Sequence, residues 1–154
     1  MKHFTELVAD ALTRVKEIMP WDLADKLKEP AELILLDVRE PEEFQALRIA
    51  GSINVPRGIL ESACDWDYEY TVPALARRRD QEIVVICRVG NRSALAADAM
   101  LKMGFTNVVS LKTGVRGWNE FDQPLIDAAG NPVDVDTADE LLASRVRPDQ
   151  LRPK

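Results

Sequence analysis

The run Ile83-Val84-Val85-Ile86-Cys87-Arg88-Val89-Gly90-Asn91-Arg92-Ser93 constrains this chain more than any other segment. Four consecutive β-branched, uncharged residues have the composition of a strand buried on both faces, as in a parallel sheet. Beyond Ser93 come Ala94, Leu95, Ala96, Ala97, Ala99, Met100 and Leu101, with Gly104 as a stop, which predicts a helix with Ser93 as its N-cap. Residues 87–92 then hang from the carboxyl end of a strand and feed the amino end of a helix, where α/β sheets place their ligands.

Three physical effects converge on the Cys87 sulfur in such a loop. Unpaired amide N–H groups, the positive end of the helix dipole and the guanidinium groups of Arg88 and Arg92 all favour thiolate over thiol. Cys87 is therefore the candidate nucleophile, and Arg88, Val89, Gly90, Asn91 and Arg92 form a candidate anion-binding loop. Gly90 is where the chain can turn with positive φ and keep a β-carbon out of the pocket. The alternative is an inert core cysteine, but core packing requires neither two flanking arginines nor a glycine.

Read as a pattern, Cys87-x-x-Gly90-x-Arg92-Ser93 resembles the active-site loop of rhodaneses, sulfurtransferases that carry sulfur as a cysteine persulfide. Upstream, Leu35-Leu36-Asp37-Val38-Arg39-Glu40-Pro41-Glu42-Glu43-Phe44 and Ile49-Ala50-Gly51-Ser52-Ile53-Asn54-Val55-Pro56 are similar to the family's signature. Downstream, Gly104-Phe105-Thr106-Asn107-Val108 and Gly114-Val115-Arg116-Gly117-Trp118 are similar to its closing segment. Several spaced motifs in order make chance agreement improbable. The resemblance implies a single rhodanese-like α/β domain over residues 20–125, a parallel sheet with helices on both faces. It also implies thiosulfate sulfurtransferase activity: sulfur passes from a small anionic donor through a Cys87 persulfide to cyanide or a thiol, with no cofactor. One departure stands out, Thr113-Gly114 where the family usually has two glycines. A local change in that turn, away from the chemistry, is the expectation.

Other readings of the loop remain in view. Phosphatases of the same fold have a loop one residue longer, and no spacing selects Asp65 or Asp67 as the general acid that a phosphatase or arsenate reductase would need. A sulfur-relay carrier or binding module would keep Cys87 but leave turnover to a partner, a sulfur-carrier or thiol acceptor protein. A thiol redox sensor would need Cys64 as resolving thiol, and nothing in the sequence brings it near Cys87; a structural role is favoured for it.

Supporting roles fall to residues near the same sheet edge. Asp37 ends an apolar strand, and with Arg39 it is placed to brace the loop; the alternative pairs Arg39 with Glu40 or Glu43. Ser93 supports the loop, Arg57 follows another strand and could attract the anion, and Trp118 is expected in the core.

The remaining residues bound the function. The 154 residues carry a net charge of −6 with no long basic stripe, which argues against nucleic acid, and Arg77-Arg78-Arg79 reads as a solvated helix end. No segment reads as a secretory signal or membrane span, and two cysteines with one histidine make neither a disulfide framework nor a metal site, so a cytoplasmic enzyme is expected. Residues 1–19 carry Phe4, Leu7, Val8, Ala11, Leu12, Val15 and Ile18 at helical spacing, an amphipathic helix packed on the domain or on a second subunit in a homodimer. Residues 126–154 read as a partly mobile tail with at most a short helix around 138–143.

Overall fold

A computed structural model describes residues 2–154. Its centre is the strand β4 (Glu82–Ile86), flanked by β5 (Val108–Leu111) on one side and β2 (Leu33–Asp37) on the other. The edges are β1 (Lys16–Ile18) beside β5 and β3 (Ile53–Asn54) beside β2, and every pairing is parallel. The fold is therefore α/β with a five-stranded parallel sheet, as the apolar run of β4 demanded.

Strand periodicity splits the core in two. Ile83, Val85 and Leu36 face one apolar cluster with Leu60, Leu75, Ala97, Met100 and Phe105; Val84, Ile86 and Leu35 face the other with Leu23, Leu111, Val115, Trp118 and Leu142. The first is covered by α6 (Asn91–Lys102), α4 (Leu60–Ala63) and α5 (Pro73–Ala76), with α1 (Phe4–Leu12) lying on α6. The second is covered by α2 (Pro20–Lys26), α7 (Gly114–Glu120) and α8 (Val135–Leu142). Helix α3 (Pro41–Ala46) joins β2 to β3.

Two terminal expectations need correction. The helix expected over 1–19 stops at Leu12, and residues 16–18 join the sheet. Val15 and Ile18, three apart, fit a helical stripe, but Val15 enters the core of the first face and Lys112 N–H bonds to the Ile18 carbonyl instead. Arg14 anchors the turn: its guanidinium makes two hydrogen bonds to Asp98 of α6, at 2.7 and 2.9 Å, and one to Asp10. The segment read as a tail is also built into the domain as far as Leu142. A short antiparallel pair, β6 (Leu125–Ile126) with β7 (Pro132–Val133), leads into α8, whose cap is the Asp134 side chain accepting from Thr137 N–H. Ala138 and Leu142 are buried, and Asn119 donates to Asp139 at 2.8 Å.

Candidate active site

Cys87 follows directly on β4, and the chain turns back into α6 within four residues. Gly90 makes this turn possible. Its φ is +101°, and an added β-carbon would press on the Thr113 amide at 3.3 Å. Because Gly90 is the N-cap, α6 begins at Asn91, and Ser93 lies inside the first turn rather than capping it, a correction to the sequence expectation. That placement carries its hydroxyl to the sulfur, with Ser93 Oγ 3.3 Å from Cys87 Sγ. Gly90 N–H donates to the same sulfur at 3.1 Å. Cys87 is only 1% exposed, so the sulfur sits at the floor of the loop.

The cations are arranged differently from the expectation that both loop arginines face the anion. Arg92 makes a bidentate pair with Glu43 of α3, at 2.8 and 3.0 Å. Burial pushes the Glu43 carboxyl up, but the hydrogen bonds and charge of Arg92 outweigh it and hold the carboxyl below its usual range. Arg92 in turn is held above its ordinary value by its Glu43 hydrogen bonds, against the effect of burial, with the charges of Glu43, Cys87 and Asp37 adding to the effect. Arg57, beyond β3, pairs with Glu61 at 2.8 Å. Arg88 donates to the Leu142 carbonyl at the end of α8, at 2.9 Å, and among the described residues it has no carboxylate partner.

Asp37 and Arg39 form a pair buried to 1% each, with Arg39 Nε and Nη2 on the Asp37 carboxylate at 3.0 and 2.8 Å. Neither Glu40 nor Glu43 takes Arg39. Asp37 Oδ1 also accepts from Arg39 N–H, and Arg39 Nη2 reaches the Leu47 carbonyl at 2.7 Å. Their side-chain hydrogen bonds run to each other, to the Arg39 amide and to the Leu47 carbonyl at the end of α3, and among the described residues none reaches residues 87–92, a correction to the expected bracing of the loop. The Asn54 side-chain amide ties both carbonyls to β3, and Val38 N–H on the Ile86 carbonyl links this segment to the Cys87 strand. Removing one partner strands a buried charge, at a cost of about 3–5 kcal/mol.

The Thr113-Gly114 turn is not away from the chemistry. Val115 N–H bonds to the Cys87 carbonyl at 2.9 Å and Arg116 N–H to the Arg88 carbonyl at 3.0 Å. A β-carbon on Gly114 would collide with the Cys87 and Arg88 carbonyls. Thr113 takes φ +65°, which costs a non-glycine residue about 1 kcal/mol. Val89 lines a shallow cavity beside this turn with Arg116 and Glu120. Trp118 is core, its indole N–H donating to the Pro124 carbonyl.

Three contributors escaped the sequence reading. In sequence Glu43 reads only as a surface partner for Arg39, and Leu142 as part of the tail. Ser110 of β5, whose hydroxyl lies 2.7 Å from Ser93 Oγ, has as its one local signal a hydroxyl in an otherwise apolar strand.

Against known proteins, the model of the rhodanese-like domain matches residues 20–121. The chain belongs to the rhodanese-like domain family. A Bacillus subtilis protein named for a sulfur-carrier role, YrkF, is 30% identical over 122 residues, covering 77% of this chain and 60% of that protein. MoeZ of Mycobacterium tuberculosis, named as an adenylyltransferase/sulfurtransferase, is 32% identical over 127 residues, 80% of this chain and 30% of its own length. The chain thus spans less than two thirds of either relative. A solved structure from Rhodopseudomonas palustris, described as of unknown function and a candidate tyrosine phosphatase, superposes with a TM-score of 0.73 at 26% identity, over 80% of this chain and 94% of that one. In this rhodanese-like domain α8 lies beyond the matched residues, yet its last carbonyl holds a loop arginine. Among the described residues no group of three or more His, Cys, Asp or Glu is placed to hold a metal, and no helix is long and apolar enough to cross a membrane.

Proposed function

We propose that the protein is a sulfurtransferase that moves sulfane sulfur from a donor such as thiosulfate to a thiophilic acceptor through a Cys87 persulfide. The observation that carries this reading is the Cys87 sulfur, held between the Gly90 amide and the Ser93 hydroxyl at the amino end of α6 in a rhodanese-like domain. Donors aimed at a buried sulfur stabilise its negative charge before the first half-reaction and again when it returns at the end of the second.

In the first half, the Cys87 thiolate attacks the outer sulfur of thiosulfate. A bond forms between Sγ and that sulfur, the bond to the sulfonate sulfur breaks, and sulfite leaves with the electron pair. In the second half, cyanide or a thiolate attacks the terminal persulfide sulfur, and the Sγ–S electron pair returns to Cys87. Arg88 supports binding of the anionic donor, since its guanidinium meets a carbonyl and not a carboxylate. Arg92 is balanced by Glu43 and acts mainly on loop shape. A small donor suits an enclosed sulfur.

A relay carrier that loads once and unloads to a partner protein is the second reading, and the name of the YrkF relative favours it. Turnover separates the two. Continuous thiocyanate formation from thiosulfate and cyanide, absent in Cys87→Ser, is the expected result. A single equivalent of transferred sulfur per chain would point to the relay, and no transfer from thiosulfate would remove it as the donor.

A further inference from the structure

Ser93 Oγ stands between two partners, Cys87 Sγ at 3.3 Å and Ser110 Oγ at 2.7 Å. All three residues are 1% exposed or less. Among the described residues Ser110 Oγ has no hydrogen-bond partner except Ser93 Oγ. The hydrogens in this short chain can therefore be counted. There are two gaps, sulfur to Ser93 and Ser93 to Ser110, and two hydroxyl hydrogens. When the sulfur is an anion, Ser110 O–H donates to Ser93 Oγ, Ser93 O–H donates to Sγ, and nothing is left over. When the sulfur carries a proton and donates to Ser93, the order reverses and the Ser110 hydrogen has no acceptor.

A buried hydroxyl donor without an acceptor is costly, whereas S–H is a weak donor that loses little by being unpaired. Once the sulfur is an anion and no longer the donor to Ser93 Oγ, the chain runs with Ser110 donating toward Ser93 and Ser93 toward the sulfur, alongside the Gly90 N–H. We propose that Ser110 is a positioning residue: it fixes the direction of the Ser93 hydroxyl so that the Cys87 sulfur accepts two hydrogen bonds and holds negative charge, first as the thiolate that attacks the donor and again as the thiolate released when the persulfide is cleaved. The inference rests on Cys87 being the sulfur nucleophile, and the sheet supplies the geometry. Ser110 sits on β5, next to the β4 strand that ends at Cys87, with Val85 paired to Ser110.

The test is the pH profile of Cys87 alkylation by iodoacetamide, read by mass, with folding followed by thermal melting. Ser110→Ala should move the profile to higher pH and lower the rate at pH 6 three- to tenfold, while Ser110→Thr, which keeps the hydroxyl, should return it toward wild type. In a Ser93→Ala background, Ser110→Ala should add nothing, because its effect runs through Ser93. A wild-type profile in Ser110→Ala would overturn the proposal, as would a full further shift in the Ser93→Ala background. If Ser110→Thr does not fold, the double-variant comparison decides alone. Alkylation needs no sulfur donor, so a missing persulfide with the expected profiles would count against the proposed function and leave this inference standing.

Discussion

Two free cysteines lie in one apolar cluster, and their sulfurs have different neighbours. Cys64 is fully buried at the carboxyl end of α4, and its carbonyl accepts from Arg79 at 2.7 Å. Burial pushes its thiol up to about 11, with Glu61 and Asp65 adding to the effect against the opposing charge of Arg79. Among the described residues its sulfur has no hydrogen-bond partner. Cys87 is just as enclosed, but its sulfur meets an amide and a hydroxyl where a helix begins. Equal enclosure therefore does not make two thiols alike; what separates them is whether the fold aims donors or bare hydrocarbon at the sulfur.

The sharpest way to break this contrast is to exchange the sulfurs. Cys87→Ser should abolish transfer, a loss greater than about 10³-fold because the nucleophile is gone, while Cys64→Ala should leave turnover within about twofold and cost roughly 1 kcal/mol of stability. Thiocyanate assays and thermal melts read both. Equal loss in the two variants would make Cys64 part of the mechanism.

A second effect is selective alkylation. At pH 8 a thiol titrating at about 11 is roughly one part in a thousand thiolate, so peptide mapping should find Cys87 modified and Cys64 untouched. Cys64 labelling should rise about tenfold per pH unit toward 11, provided the fold holds.

Third, Gly114→Ala should damage the loop without touching either sulfur. Its β-carbon meets the carbonyls of Cys87 and Arg88, so a cost of about 2–4 kcal/mol and a Cys87 alkylation rate lowered at least tenfold are expected, from melts and stopped-time labelling.

The smallest effect is a control remote from both cysteines. Hydrogen bonding to Arg14 is the main cause holding the Asp98 carboxyl down at about 2, outweighing burial, with Lys102 helping. Since the folded value lies below the unfolded one, this contribution is present above about pH 4 and is lost as pH falls toward 2. Asp98→Asn should cost about 1–2 kcal/mol at pH 7 and flatten stability between those limits, with alkylation of Cys87 unchanged.

What was legible in the sequence follows from how local each signal is. The β4–loop–α6 unit could be read because its apolar run, its glycine and its alanine-rich helix are contiguous. Ser93 reads as a cap in sequence, but the positive φ of Gly90 starts the helix three residues earlier than a serine cap would. Helix α8 starts earlier than the short helix expected around 138–143, and its docking through Ala138 and Leu142 is a tertiary fact with a weak local trace. The Thr113-Gly114 turn lies some 25 residues from Cys87 in sequence and against it in space, so no local pattern could have joined them. Ser110 required strand register, which a sequence does not print.

In the proposed reaction only one of these two enclosed sulfurs, Cys87, carries the transferred atom, and the mass of wild-type protein and its peptides after thiosulfate treatment tests this. One added sulfur atom per chain is expected, located on the peptide containing Cys87, removed by cyanide and absent from Cys87→Ser. Sulfur added on the Cys64 peptide, or retained in Cys87→Ser, would contradict it.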